Sequence, residues 1–188
     1  AVHLTGAVPC LVTKIIGGKP YVLSYGYRYD LFAKLENKWL QWLLVKLLTS
    51  IAIKFADVVM VPTKELKTHI EKYKPKKIAV IPNGVDIEKY NPSSMLNCSR
   101  GLRPRVIVLF VGRLERQKNL DVLIKAVADL NRNAKLIFVG DGSLKEKLIK
   151  LAEKLKIDLE VKDSIPNDQL PKVYQQADIF VLPSLIEG

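Results

Sequence analysis

At 188 residues, with 48% hydrophobic and 26% charged side chains, the chain has the balance of a folded globular protein and excludes a disordered one. Its net charge of +11 is uneven: residues 1–104 carry 16 Lys/Arg against 7 Asp/Glu, a balance of +9, whereas residues 105–188 carry 14 against 12, a balance of +2. A basic first half suits an anionic partner (nucleic acid, a phosphorylated substrate or a membrane surface), or serves only as a solubilising lysine surface.

Cys10 and Cys98 are far apart and lack CxxC spacing, which argues against a disulfide framework or a cysteine-built zinc site and fits a reducing cytoplasm. The N-terminal stretch "AVHLTGAVPCLVTKIIGGKP" lacks the layout of a signal peptide. In chain order, "AVHLTG" (1–6) and "PYVLSYG" (20–26) read as strands, with helical spacing in "VPCLVTKIIG" between them. Residues 29–56 read as one or two helices. Their most apolar window, "WLQWLLVKLLTSIAI", is 15 residues with Lys46 at its centre, too short and too charged for the ~20 apolar residues of a membrane span.

A strand at 57–62 follows, then a helix at 64–74 capped by Thr63 and a strand at 77–82. Residues 83–104 are polar, without a sustained period, and read as an interdomain linker. The alternation resumes with strands at 105–112, 134–140, 159–163 and 178–183 and helices at 119–131, 143–156 and 167–177. Ser143 and Glu146 have the spacing of a capping box. Apolar runs alternating with helices mean parallel strands with helical crossovers, so the fold class is α/β: two doubly wound parallel-sheet units, both incomplete. The expected domains are residues 1–92 and 105–188, joined by a linker at 93–104.

Three strand ends carry the chemistry. In "FVGRLERQKNLDVLIKAV", Arg113 follows a strand and Lys118 precedes a helix, so a guanidinium fork, an ammonium and a helix N-terminus can converge on a diphosphate; the alternative is two solvated surface cations. "VGDG" places Gly140, Asp141 and Gly142 at the next strand end, where glycine admits close backbone approach to a ligand or simply serves the turn. It is not GxGxxG, so the dinucleotide fingerprint is absent. "LPSLIEG" adds Glu187, a carboxylate suited to sugar hydroxyls, and all these residues are expected along one edge of one sheet.

Together, "VIPNGVDIEKYNP", "LFVGRLERQKNLDVLIKAV", "LIFVGDGSLKEKLIKLA" and "YQQADIFVLPSLIEG" closely resemble the retaining family 4 glycosyltransferases. The resemblance implies the GT-B fold, two Rossmann-like domains facing a cleft. It implies that Arg113 and Lys118 bind the donor diphosphate and that Glu187 contacts donor-sugar hydroxyls as the first of two glutamates seven residues apart. It further implies an internal segment of a longer enzyme, truncated at both ends and inactive alone. The family's usual active-site histidine aligns with Gly26, so either Tyr25, Tyr27 or Arg28 lines the acceptor side or this member uses a variant pocket. Neither His3 nor His69 matches, and His69 is expected at the surface among lysines. Asp163 replaces a glycine frequent in the family.

The implied activity is transfer of a sugar from a nucleotide-diphosphate sugar to a glycan, lipid-linked or small-molecule acceptor with retention. Arg113 and Lys118 would neutralise the leaving group; no metal and no cofactor beyond the donor is expected. The basic first half and the 39–53 stretch suggest peripheral contact with anionic lipid at the inner face of the cell membrane; a nucleic-acid partner is not expected. The alternatives are another GT-B activity, such as a nucleotide-sugar epimerase or a phosphorylase, or a non-catalytic basic binding module.

Overall fold

The computed structural model describes residues 4–90, 105–130 and 133–187, with the side chains of residues 4 and 5 set aside. The expected linker at 93–104 and Cys98 lie outside the described residues. The chain divides into two compact units, Ala1–Gly84 with Ile186–Gly188, and Val85–Leu185. Each is built on its own all-parallel sheet, of order β1-β2-β3 and β6-β5-β4-β7.

The first unit begins with α1 (Leu4–Gly17), not with the strand expected at 1–6. Residues 1–3 lie outside the described residues, and Gly6 is already helical. The helical period prevails because Ala7, Cys10 and Leu11 share the face that packs on the core, which offsets the proline at position 9. Gly18 stops the helix in the left-handed region, its N–H donating to the Lys14 carbonyl. Next come β1 (Val22–Ser24), α2 (Tyr29–Leu35) and α3 (Trp39–Phe55), then β2 (Val58–Val61), α4 (Lys64–Glu71) and β3 (Ile78–Val80). Left-handed Asn37 separates α2 from α3. Thr63 caps α4, its hydroxyl accepting from the Leu66 N–H at 3.1 Å.

Asp57 ties α1 to this sheet. Its carboxylate accepts from Lys14 Nζ, from the Tyr21 N–H at 3.0 Å and from Lys76 Nζ at 3.3 Å. Led by the Lys14 bond, these donors hold its pKa down to about 2. The folded value lies below the unfolded value of ~3.9. Asp57 therefore stabilises the fold above about pH 4, and that contribution fades as pH falls toward 2. Acid titration of unfolding should show this decline in the native chain, and Asp57→Asn should flatten it.

The second unit comprises β4 (Val106–Val111), a 3-10 turn (Arg116–Lys118), α5 (Leu120–Asp129), β5 (Ala134–Val139), α6 (Lys145–Lys154), β6 (Asp158–Lys162), α7 (Leu170–Gln176) and β7 (Ile179–Phe180). Alternate residues of its central strands pack on opposite faces. Val108, Phe110, Leu136 and Phe138 meet Leu120, Leu123, Ile124, Leu148 and Ala152 of α5 and α6. Leu109, Ile137 and Val139 meet Val173 and Tyr174 of α7. Strands buried on both faces explain the continuous run "VIVLFV" and fit the doubly wound arrangement. β7 is shorter than the run 178–183 because only Val108 and Leu109 pair with it.

The capping box expected at Ser143 does not form. The N-cap of α6 is Leu144, without a side-chain cap bond. Glu115 takes the place of a local cap: its carboxylate accepts from the Ser143 N–H at 2.9 Å and from the Ser143 hydroxyl at 2.7 Å. Those two bonds hold the Glu115 carboxyl below the usual carboxylate range.

Candidate active site

Ligands of open parallel sheets bind at the carboxyl ends of the strands, and in the second unit three adjacent strand-end loops are joined there by backbone hydrogen bonds. The loops after β4 and β5 are zipped by the Gly112 N–H to Val139 carbonyl bond (2.9 Å), the Leu114 N–H to Asp141 carbonyl bond (2.9 Å) and the Leu144 N–H to Leu114 carbonyl bond (3.0 Å). The loop after β7 joins the turn before α5 through the Leu185 N–H and the Gln117 carbonyl, at 2.8 Å. Gln117 is buried, which fixes that turn between its neighbours.

Arg113, Gly140 and Asp141 line one cleft of about 210 Å³ at this edge, together with Gly112, Ser164 and Asn167. Arg113 is exposed at its mouth. Lys118, Gly142 and Glu187 are outside its lining. Lys118 ends the 3-10 turn, half-buried, immediately before the left-handed Asn119 (φ 54°) that leads into α5. Glu187 is exposed, and its segment Ile186–Gly188 groups with the first unit.

The glycines of "VGDG" have a definite packing role. Gly140 has φ +140°, and a Cβ there would overlap the Gly112 carbonyl oxygen. A Cβ on Gly142 would come within 2.6 Å of the Leu114 carbonyl oxygen. The close approach they permit is therefore of one strand-end loop to the next. The Asp141 carboxylate turns back to accept from the Gly142 N–H at 2.8 Å. Asp163, at the end of β6, pairs with Lys145 at 2.6 Å.

The first unit has a second strand-end cleft, of about 310 Å³, lined by Ser24, Gly26, Met60, Pro62, Asn83 and Gly84. Gly26 thus faces a cleft, and a Cβ there would meet nothing within 4 Å. Tyr25, Tyr27 and Arg28 do not line it. Tyr25 is buried, and desolvation raises its hydroxyl pKa. Arg28 is held by a two-pronged bond to Asp30, at 2.9 and 3.0 Å. The signal for this cleft was "PNG" shortly after a strand, which leaves small side chains at the sheet edge.

His69 is not the surface residue expected. Its side chain is 9% exposed and stacks on Tyr25 with centroids 6.4 Å apart, Nε2 being 3.8 Å from Asp30 Oδ1. Leu66 and Ile70 are the buried face of α4, and His69 is carried in beside them by helical spacing. Burial, then the Arg28 charge, lowers its pKa below the usual imidazole value.

Residues 101–188 match the family Glycosyl transferases group 1, and residues 1–89 match Glycosyltransferase Family 4. The chain is 30% identical over 202 residues to a UDP-Gal:alpha-D-GlcNAc-diphosphoundecaprenol alpha-1,3-galactosyltransferase of Escherichia coli, covering all of this chain and 49% of that protein. It is also 30% identical over 180 residues to an N-acetylgalactosamine-N,N'-diacetylbacillosaminyl-diphospho-undecaprenol 4-alpha-N-acetylgalactosaminyltransferase of Campylobacter jejuni, covering 94% of this chain and 46% of that one. The chain thus spans about half the length of these two relatives. Among solved structures, Anabaena Alr3699/HepE in complex with UDP and glucose superposes with a TM-score of 0.73 at 21% identity, over 97% of this chain and 51% of that one. Two parallel-sheet α/β units, each matched over most of its length by one of these two glycosyltransferase family models, give the chain the GT-B fold.

Proposed function

We propose that the protein carrying this chain transfers a sugar from a nucleotide-diphosphate sugar to an acceptor hydroxyl, with retention of anomeric configuration. The observation that carries the reading is Arg113 at the mouth of a cleft built from bonded strand-end loops. In the reaction the sugar C1–O bond to the diphosphate breaks with its electron pair going to the diphosphate oxygen, the acceptor oxygen bonds to C1, and the acceptor proton passes to the departing diphosphate. Arg113 and Lys118 offset the negative charge that grows on the departing diphosphate. The Glu187 carboxylate accepts hydrogen bonds from donor-sugar hydroxyls, Gly140 and Asp141 line the cleft, and Gly142 lets the two strand-end loops close behind it. In this reading the cation pair does the work that a metal ion does elsewhere.

The UDP in the Anabaena complex supports a uridine nucleotide donor, and the undecaprenol-linked diphosphates in the two relatives' names support a lipid-linked acceptor. An acceptor of that kind places the enzyme on the cytoplasmic face of a membrane. Among the described residues no helix is long and apolar enough to cross one.

The test is a thermal-shift screen of UDP-sugars with the whole protein, followed by transfer to a polyprenyl-diphosphate acceptor and assignment of the product anomer. Stabilisation by a UDP-sugar and a product of unchanged anomeric configuration are expected. Epimerisation or phosphorolysis in place of transfer would overturn the reading, as would indifference to every nucleotide sugar.

A further inference from the structure

Glu115 stands between the two cations of the proposed donor site and is bonded to both through its backbone. Its N–H donates to the Arg113 carbonyl at 2.9 Å, and its carbonyl accepts from the Lys118 N–H at 2.9 Å. It also starts the 3-10 turn, in an extended conformation (φ −119°, ψ 160°), yet its side chain makes no bond to that turn. The carboxylate reaches the next strand-end loop, where it takes both the N–H and the hydroxyl of Ser143. Arg113 and Lys118 are thereby tied, through one residue, to the approach to α6.

The segment is pinned by its backbone on either side of Glu115. Leu114 is buried and bonded to the β5 loop through its N–H and its carbonyl, and Gln117 is buried and bonded to the β7 loop. Glu115 and the exposed Arg116 span the gap. Within it the grip on Ser143 fixes a direction as well as a distance, because both carboxylate oxygens are engaged. The Ser143 bonds lower the Glu115 pKa more than the Arg113 charge does. The carboxylate is therefore an acceptor for the neighbouring loop first and a counter-charge to Arg113 second. A segment released from that grip samples other registers, and a ligand that fits one register then binds more weakly, in proportion to the time spent in it.

We propose that Glu115 is a positioning residue: gripping Ser143, it holds the Arg113–Lys118 segment in the register that receives the donor diphosphate, without touching the donor itself. The inference rests on the glycosyl-transfer reading above and adds to it a residue that acts through others.

The test measures the UDP affinity of the whole protein, and kcat and donor KM with the UDP-sugar that the screen selects. Glu115→Ala should weaken UDP binding and raise donor KM about tenfold, as for a segment competent about a tenth of the time. Its kcat should stay within about threefold of native, because saturating donor restores the register. Glu115→Gln should stay within about threefold of native in every constant, since the amide accepts from the Ser143 N–H and donates to its hydroxyl. Ser143→Ala keeps the amide bond and should raise KM about threefold, the effect of one bond lost. Combined with Glu115→Ala it should be no worse than Glu115→Ala alone, because the two side chains act as a pair. If Glu115→Ala does not fold, Ser143→Ala carries the test by itself. Thr63→Ala removes the α4 cap in the other unit, and should lower the denaturation midpoint while leaving UDP affinity and KM unchanged. Four results would each overturn the inference and leave donor binding by the native protein in place. They are a native KM in folded Glu115→Ala, a loss confined to kcat, a loss in Glu115→Gln equal to that in Glu115→Ala, and an equal rise in KM in Thr63→Ala. Indifference of the native protein to every nucleotide sugar would overturn the glycosyl-transfer reading and this inference with it.

Discussion

Replacing Arg113 by alanine is expected to reduce turnover of the whole enzyme by about 30- to 1,000-fold, the ~2–4 kcal/mol that accompanies loss of one oriented donor to a developing charge. Arg113 leaves β4 directly into the cleft shared with Gly140 and Asp141. A planar guanidinium can hold two phosphate oxygens at once, which an ammonium cannot copy, so Arg113→Lys should also impair the enzyme. The loss should fall mainly on kcat, because charge on the diphosphate rises as the sugar departs. Lys118→Ala should behave similarly. Arg113 is exposed, so the denaturation midpoint of Arg113→Ala should be close to that of the native protein. Near-normal turnover in both folded alanine variants would remove the diphosphate role.

Replacing Gly140 by alanine should have the opposite profile, with stability lost first. Its φ of +140° is a region that L side chains rarely adopt, and the added Cβ would overlap the Gly112 carbonyl oxygen, a backbone atom that cannot rotate away. Left-handed backbone strain costs ~1–2 kcal/mol and overpacking ~1–3, so a loss of roughly 2–5 kcal/mol is expected. A fall in the urea midpoint at unchanged slope would register it. Gly26→Ala is the contrast: it meets nothing within 4 Å and should shift stability by less than about 0.5 kcal/mol. A Gly140→Ala variant as stable as Gly26→Ala would mean that the β4 and β5 loops are not joined as described.

The alternation of strand and helix was legible in the sequence because parallel strands buried on both faces leave unbroken apolar runs, as "VIVLFV" and "LIFV" do. Thr63 was legible as a cap because its partner, Leu66, is three residues away. What escaped depends on residues distant in the chain. Glu115 displaces the local capping box across 28 positions. His69 packs its ring against Tyr25, 44 positions earlier, although Lys67, Thr68, Glu71 and Lys72 around it in sequence are polar. The start of α1 was read as a strand because its β-branched residues outweighed, locally, a period that only the packed face of Ala7, Cys10 and Leu11 reveals. In the candidate site the sequence supplied residue types and strand ends, which brought Arg113, Gly140 and Asp141 to one cleft. It could not supply the loop packing that leaves Lys118, Gly142 and Glu187 outside that lining.

The bond from Glu115 to Ser143 has a consequence for how an incoming phosphate sorts between two helix starts. Both α5 and α6 begin at the same edge of the sheet, and each presents the partial positive charge of its free amides. At α6 that charge already faces a resident carboxylate, held ionised by the bonds it accepts. At α5 the start follows Lys118, and the N-cap Asn119 makes no side-chain cap bond. In the reading proposed above, the acid in "GRLE" fills the start of α6 with a resident negative charge and leaves the start of α5, beside Lys118, as the one of the two helix starts open to a phosphate.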